Sequence, residues 1–190
     1  MGWLTGYTYR KSITLSRASG AVTNYQMKLL VGESSGATGE DVDCGAHCQT
    51  DFDDIRFTKS DGTTLLDYWI ESLSGATPNQ LATIWIEFDS IGTGATTFYM
   101  YYGKADSTAV SNIITTFRQG DNIEWGANND AITGNGGGIT WSSASGNVIV
   151  STDQAYSGTR CIKVPGSAAS YNQFQHNLTV GSDYTIRRKY

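Results

Sequence analysis

Proline, cysteine and histidine are all scarce in this 190-residue chain, at two, three and two residues. The two histidines, His47 and His176, sit in no nucleophile-elbow context, so a Ser-His-Asp triad finds no framework here. No apolar run approaches the roughly 20 residues of a membrane-crossing helix. Apolar 3.6-residue periodicity never extends beyond about ten residues, which excludes a helical domain. Positive charge is also in deficit. The net charge is -5 and the pI about 4.9, so neither nucleic acid nor insertion into a membrane is expected. The one basic cluster, Arg187, Arg188 and Lys189, falls in an alternating run and reads as a charged outer strand face. No basic and then apolar leader follows Met1. The expectation is a leader already removed, or a protein that leaves its cell without one, as a virion component released by lysis would.

What the chain does have is 22 glycines and an aromatic set of five Trp, eleven Tyr and six Phe. Short strands joined by tight turns need such a composition, and the rings can fill a core despite a hydrophobic content of 39%. The expected fold is all-β: an antiparallel β-sandwich, jelly-roll-like, followed by a second and apparently incomplete β-sandwich.

Period-two alternation over residues 7–15 (YTYRKSITL) marks a half-buried strand, and residues 25–31 (YQMKLLV) a second. Residues 33–50 form a polar, glycine-rich insertion, the kind of long loop where function tends to sit. Residues 54–57 and 65–72 are read as one hairpin about the Asp61-Gly62 turn. Its Ile55, Phe57, Leu66, Tyr68 and Ile70 are expected to share one wall of the core. In residues 81–91 (LATIWIEFDSI), Ile84, Ile86 and Phe88 share one face and Thr83, Trp85 and Glu87 the other. Residues 96–103 (TTFYMYYG) complete six strands. A connector over 104–116 marks the boundary, giving a module over 1–112 and the start of another over 113–190. Further strands are expected in IEWG, ITWSS, NVIVST, TRCIKV, YNQFQHNL and DYTIRRKY. Because the chain stops within the last, a partner strand or self-assembly is expected to complete that second sandwich.

The blocks GWLTGYTYRKSITL, TNYQMKLLV, DFDDIRFTKSDGTTLLDYWIES, ATIWIEF and GATTFYMYYGKADSTAVSN, in that order, resemble a domain-of-unknown-function family. Its members are β-sandwich modules of bacterial, archaeal and phage-type surface proteins. The resemblance covers residue 3 to about residue 112, and residues 117–190 resemble the start of a lectin-like or carbohydrate-binding jelly roll. It implies architecture and an extracellular, cell-surface or virion-surface setting, with no catalytic residues to carry over.

Three groups of residues invite chemistry. Cys44, His47 and Cys48 could hold Zn, but a distant second ligand pair is missing, and a Cys44 to Cys48 disulfide is the preferred reading. Asp51, Asp53 and Asp54 could offer oxygen ligands to Ca, against the plainer reading of a solvated loop entering a strand. No other cofactor is expected. Trp125, Trp141, Tyr156 and Tyr171, set among Asn128, Asn129, Asp130 and Gln173, mix stacking faces with hydroxyl-binding groups, as a glycan site does, although core aromatics beside polar loops look the same. Asp67 and Glu71 would lie about 13 Å apart along a strand at about 3.3 Å per residue, too far for a glycosidase pair. Residues 134–138 (GNGGG) lack the Lys and Ser/Thr of a phosphate loop. The expected function is a non-catalytic surface adhesion module binding a glycan or cell-surface polysaccharide. The alternative is a structural or assembly subunit of a virion, tail fibre or extracellular filament.

Overall fold

The computed structural model describes residues 2–36, 39–117, 120–121, 123–133, 139–143, 148–155, 158–164 and 174–176. The protein is all-β, and it divides into two compact units, Met1–Arg118 and Gln119–Tyr190. The first unit holds strands β1 (Tyr9–Arg17), β2 (Val22–Gly32), β3 (Val42–Asp43), β4 (Arg56–Thr58), β5 (Leu65–Leu66), β6 (Tyr68–Ser74), β7 (Leu81–Ile91) and β8 (Gly94–Tyr102). They form two four-stranded sheets, one ordered β1-β8-β4-β5 and the other β3-β2-β7-β6. All pairings are antiparallel except β2 with β3.

Alternation builds the core. On β7, Ala82, Ile84, Ile86 and Phe88 are buried while Thr83, Trp85 and Glu87 are half-buried on the other face. The opposing sheet contributes Phe57, Leu66, Phe98, Met100 and Tyr102 to the same cluster. Burying a large aliphatic side chain this way is worth about 1.5–3 kcal/mol. β8 is buried on both faces. Tyr99 and Tyr101, which alternate with the core residues, are covered from outside by Arg10, whose guanidinium lies 4.5 Å from the Trp3 ring and 4.3 Å from that of Tyr99. Arg10 also donates to Gly2 O and Tyr101 Oη, so residues 2–7 act as a flap over this sheet.

Two expectations change. The strands β1 and β2 run further into the loop between them than the turn-like composition of residues 16–24 suggests, because the nine-pair ladder of β1 with β8 and the ten-pair ladder of β2 with β7 carry them on. The hairpin past Asp61-Gly62 does not stay in one sheet. Leu66 pairs with Phe57 beside β4, but at Asp67 the chain crosses over, and Tyr68 pairs with Ile86 in the opposite sheet. Tyr68 therefore meets the Phe57 ring edge-on from across the core, centroids 5.3 Å apart, and donates from Oη to Ile55 O at 2.6 Å. Ile70 is half-buried, so those five residues form two facing walls instead of one.

The connector is strapped to the first unit. Asn112 N donates to Tyr68 O, Ile70 N to Ser111 Oγ, and Arg56 Nη2 to Thr108 O. A one-turn helix, α1 (Ile113–Thr116), follows, capped by Asn112 Oδ1 accepting from Ile114 N. Phe117 then rests against the rings of Trp69 and Trp85, both centroids at 5.8 Å.

In the second unit, β9 (Trp141–Ser143) pairs with β12 (Phe174–His176), and β10 (Ile149–Ser151) with β11 (Cys161–Lys163). Four of the expected strand segments thus form ladders. IEWG does not, and Ile123 there has φ of 62°; the last expected strand, 183–190, lies outside the described residues. A small core of Ile132, Val148 and Val150 is flanked by Trp125, Trp141 and Ile162.

Candidate functional site

The second unit brings its two expected tryptophans together through one residue that sequence reasoning missed. Asp121 accepts from Trp125 Nε1 at 2.9 Å on Oδ1 and from Trp141 Nε1 at 2.7 Å on Oδ2. Each indole is half-buried, packed against the small core while its N–H is held by the carboxylate. Asp121 sits four residues before Trp125, a spacing with no signature of its own; only knowledge that buried indole N–H groups seek acceptors could have prompted the search.

Next along the chain, residues 126–131 form an exposed turn. Asp130 Oδ2 accepts from Ala127 N at 2.7 Å, Asn129 adopts φ of 74°, and Asn128 Oδ1 accepts from Thr152 N at 3.2 Å. Main-chain bonds Asn129 N to Val150 O and Val150 N to Asp130 O pin this turn to β10. Trp125, Asn128, Asn129 and Asp130 are therefore contiguous, and Trp141 joins them through Asp121. Tyr156, Tyr171 and Gln173 lie outside the described residues. A brace completes this end: Glu124 accepts from Thr159 N, Thr159 Oγ1 and Arg160 N. Burial opposes ionisation of Glu124, but the Thr159 and Arg160 donors outweigh it and hold its pKa below the usual value.

At one end of the first unit, residues 39–54 of the insertion fold over the sandwich. Asp54 is buried and fully engaged, Oδ1 accepting from Gln49 N at 2.9 Å and Oδ2 from Gly103 N at 2.7 Å and Lys104 N at 3.3 Å. Asp51 Oδ1 accepts from Asp53 N, and the Asp53 pKa is raised by burial and by the neighbouring Asp51 charge. The three carboxylates are thus loop-closing groups. Among the described residues no set of three or more His, Cys, Asp or Glu side chains is arranged to hold a metal ion, and the Ca and Zn readings find no cage here.

Cys44 and Cys48 are free thiols, Cys44 buried in the main core and Cys48 half-buried against it. The neighbouring Cys48 side chain, followed by burial, pushes the Cys44 thiol pKa up. Around them Lys11 pairs with Asp43 at 2.8 Å, and Tyr9 stacks on His47 at 4.2 Å and on Tyr102 at 5.6 Å. The Lys11 hydrogen bond keeps the Asp43 pKa low, whereas burial and then the nearby Cys44 push that of Tyr102 up to about 12.

On the outer face of the β6-β7 ladder, Trp69 lies opposite Trp85, whose Nε1 donates to Glu71 Oε2 at 2.9 Å. Glu71 is thereby a partner of an indole. Burial, then the Asp89 and Asp67 charges, raise the pKa of Glu87.

A family model described as "Domain of unknown function (DUF2341)" matches residues 51–143. The chain is similar to that family from the turn ahead of β4 through β9. The match includes the blocks from DFDDIRF to TTFYMYYG. It omits residues 3–50, where the resemblance had been extended to YRKSITL and YQMKLLV, and it continues past residue 112 into the second unit. No curated protein and no solved structure matches the chain.

Proposed function

We infer that the protein is a non-catalytic adhesion module that binds a glycan at a cell or virion surface, and that the second unit carries the contact. The observation that supports this is the Asp121 clamp: one carboxylate fixes two half-buried indoles beside an exposed turn bearing Asn128, Asn129 and Asp130. Sugar rings stack their C–H faces on such aromatics while side-chain amides and carboxylates take the hydroxyls. Indoles already locked by hydrogen bonds lose little freedom when a ligand arrives, which favours affinity. The carboxylates elsewhere have structural tasks, Glu71 on Trp85 and Asp54 on three amides, and this supports binding over hydrolysis.

Affinity electrophoresis through gels containing soluble polysaccharides, followed by titration calorimetry, tests the reading. At least one polysaccharide retards the wild type, and Trp125→Ala weakens its binding by about tenfold or more, which is about 1.4 kcal/mol. Lack of retardation on every polysaccharide, or binding that Trp125→Ala leaves unchanged, overturns it.

A second reading, a structural or assembly subunit, draws on the nine-residue strand β1, whose only ladder partner among the described residues is β8. An open edge of that length accepts a strand from another chain. Light scattering separates the two readings: ordered oligomers favour assembly, a stable monomer favours the binding module.

A further inference from the structure

We propose that Cys44 and Cys48 form a reversible redox couple, a disulfide-forming site that latches the 33–54 insertion over the end of the first unit. The pair is preorganised by the backbone. His47 N donates to Cys44 O at 3.1 Å, and Gly45 and Ala46 between them have φ of 57° and 63°, the double left-handed geometry of a tight reversing turn. This turn folds Cys48 back on Cys44. The turn is itself anchored, since Gly45 N donates to Asp43 Oδ1 at 2.8 Å and Ala46 N to Glu33 O at 2.9 Å. Cys44 is fully buried in the main core, and Cys48 is half-buried against it, its thiol 3.9 Å from Glu33 O. Both side chains stand at the ends of this one tight turn and pack against the same core cluster, so closing to the covalent S–S separation of about 2.05 Å asks for side-chain rotation more than for movement of a strand.

Difference in access assigns the order of events. A low-molecular-weight disulfide such as glutathione disulfide reaches Cys48 first. The Cys48 thiolate attacks one sulfur of the reagent, forming a mixed disulfide and expelling one glutathione thiolate, which takes up a proton from solvent. Cys44 then loses its proton and attacks Cys48 Sγ, expelling the second glutathione. Two cysteine thiols are oxidised and one glutathione disulfide is reduced to two thiols. Burial of Cys44 keeps the reagent from it until a mixed disulfide at Cys48 offers it a target. Cys161, half-buried on β11 with its Sγ 3.5 Å from Ser151 O, is the third thiol and serves as an internal reference.

The test treats the folded full-length protein with glutathione disulfide, alkylates the remaining thiols under denaturing conditions, and maps the adducts by mass spectrometry. Two of the three thiols are lost together, with loss of two hydrogens from the peptide spanning 44–48, and dithiothreitol restores them. The Cys44→Ser variant accumulates a stable glutathione adduct at Cys48, while in Cys48→Ser residue Cys44 resists modification. Wild type that keeps three thiols, or that stops at a stable mixed disulfide, overturns the proposal. Modification of Cys44 in Cys48→Ser at the wild-type rate overturns the order of attack. The wild-type measurement stands even if the buried Cys44→Ser variant fails to fold.

Discussion

A side chain on residue 158 would collide with Glu124. Gly158 has φ of 72°, and a Cβ built on it would lie 2.1 Å from Glu124 Oε1. The glycine leaves room for the carboxylate that gathers Thr159 and Arg160. Gly158→Ala is therefore expected to cost the second unit about 1–3 kcal/mol through strain and a displaced carboxylate. Urea unfolding followed by a second-unit signal such as Trp141 fluorescence checks this, and an unchanged midpoint refutes it.

Replacing Asp121 unfastens both indoles. Asp121→Ala leaves two half-buried N–H groups without their shared acceptor, and a cost of about 1–3 kcal/mol follows from the loss of hydrogen bonds to a charged group. A red-shifted tryptophan emission and a diminished near-ultraviolet dichroism accompany it. Asp121→Asn, which keeps one carbonyl acceptor, falls between wild type and Ala.

Burial orders the truncations in the first unit. Ile84 is fully buried between the sheets and Ile84→Ala costs about 2–5 kcal/mol. Ile70 is half-buried, so Ile70→Ala costs less. Lys59, whose 2.7 Å pair with Asp89 is exposed, loses under about 1 kcal/mol on Lys59→Ala. Urea melts returning any other order would contradict the two-wall core.

Asp61 gives the turn ahead of β5 a dependence on pH. Its carboxylate accepts from Thr64 Oγ1, Thr63 N and Thr64 N, and these bonds lower its pKa to about 2. A depressed folded-state pKa stabilises the fold above the unfolded value of about 3.9, and the contribution disappears as pH falls toward 2. Carbon-13 titration of the Asp61 carboxyl is expected to show a midpoint near 2, and a midpoint near 4 would mean that the hydroxyl and amides do not engage it.

The sequence carried the first unit's faces well and its polar wiring poorly. Alternation alone separates Ile84, Ile86 and Phe88 from Trp85, because a strand has only two sides and one meets the core. The run FYMYY was readable as a strand, but not its burial on both sides, which depends on residues 2–10 folding back from far along the chain. The crossing at Asp67 was hidden for a similar reason: Leu66 and Tyr68 keep the same alternation whichever sheet each joins. In the candidate sites, tryptophans and amides announced themselves by type. Asp121 did not, since an acceptor is recognised by what it meets. Nor did the turn that folds Cys48 back toward Cys44 follow from their spacing, because it needs Ala46 in a left-handed conformation that alanine seldom adopts.

The placement of β1 at the margin of its sheet, and of residues 22–28 of β2 short of the two-residue ladder with β3, divides the amides of both stretches into two populations in time. Among the described residues only β8 pairs with β1, and only β7 with residues 22–28 of β2, so amides aimed inward are locked while their alternate neighbours face outward. Dissolved in heavy water, these strands would take up deuterium at every second position within the early part of the experiment and retain protons at the others. β7 over residues 81–86 and β8 over residues 99–101, flanked on both sides there, would exchange slowly at consecutive residues, so the labelling pattern would read out where a strand has a neighbour on one side and where on two.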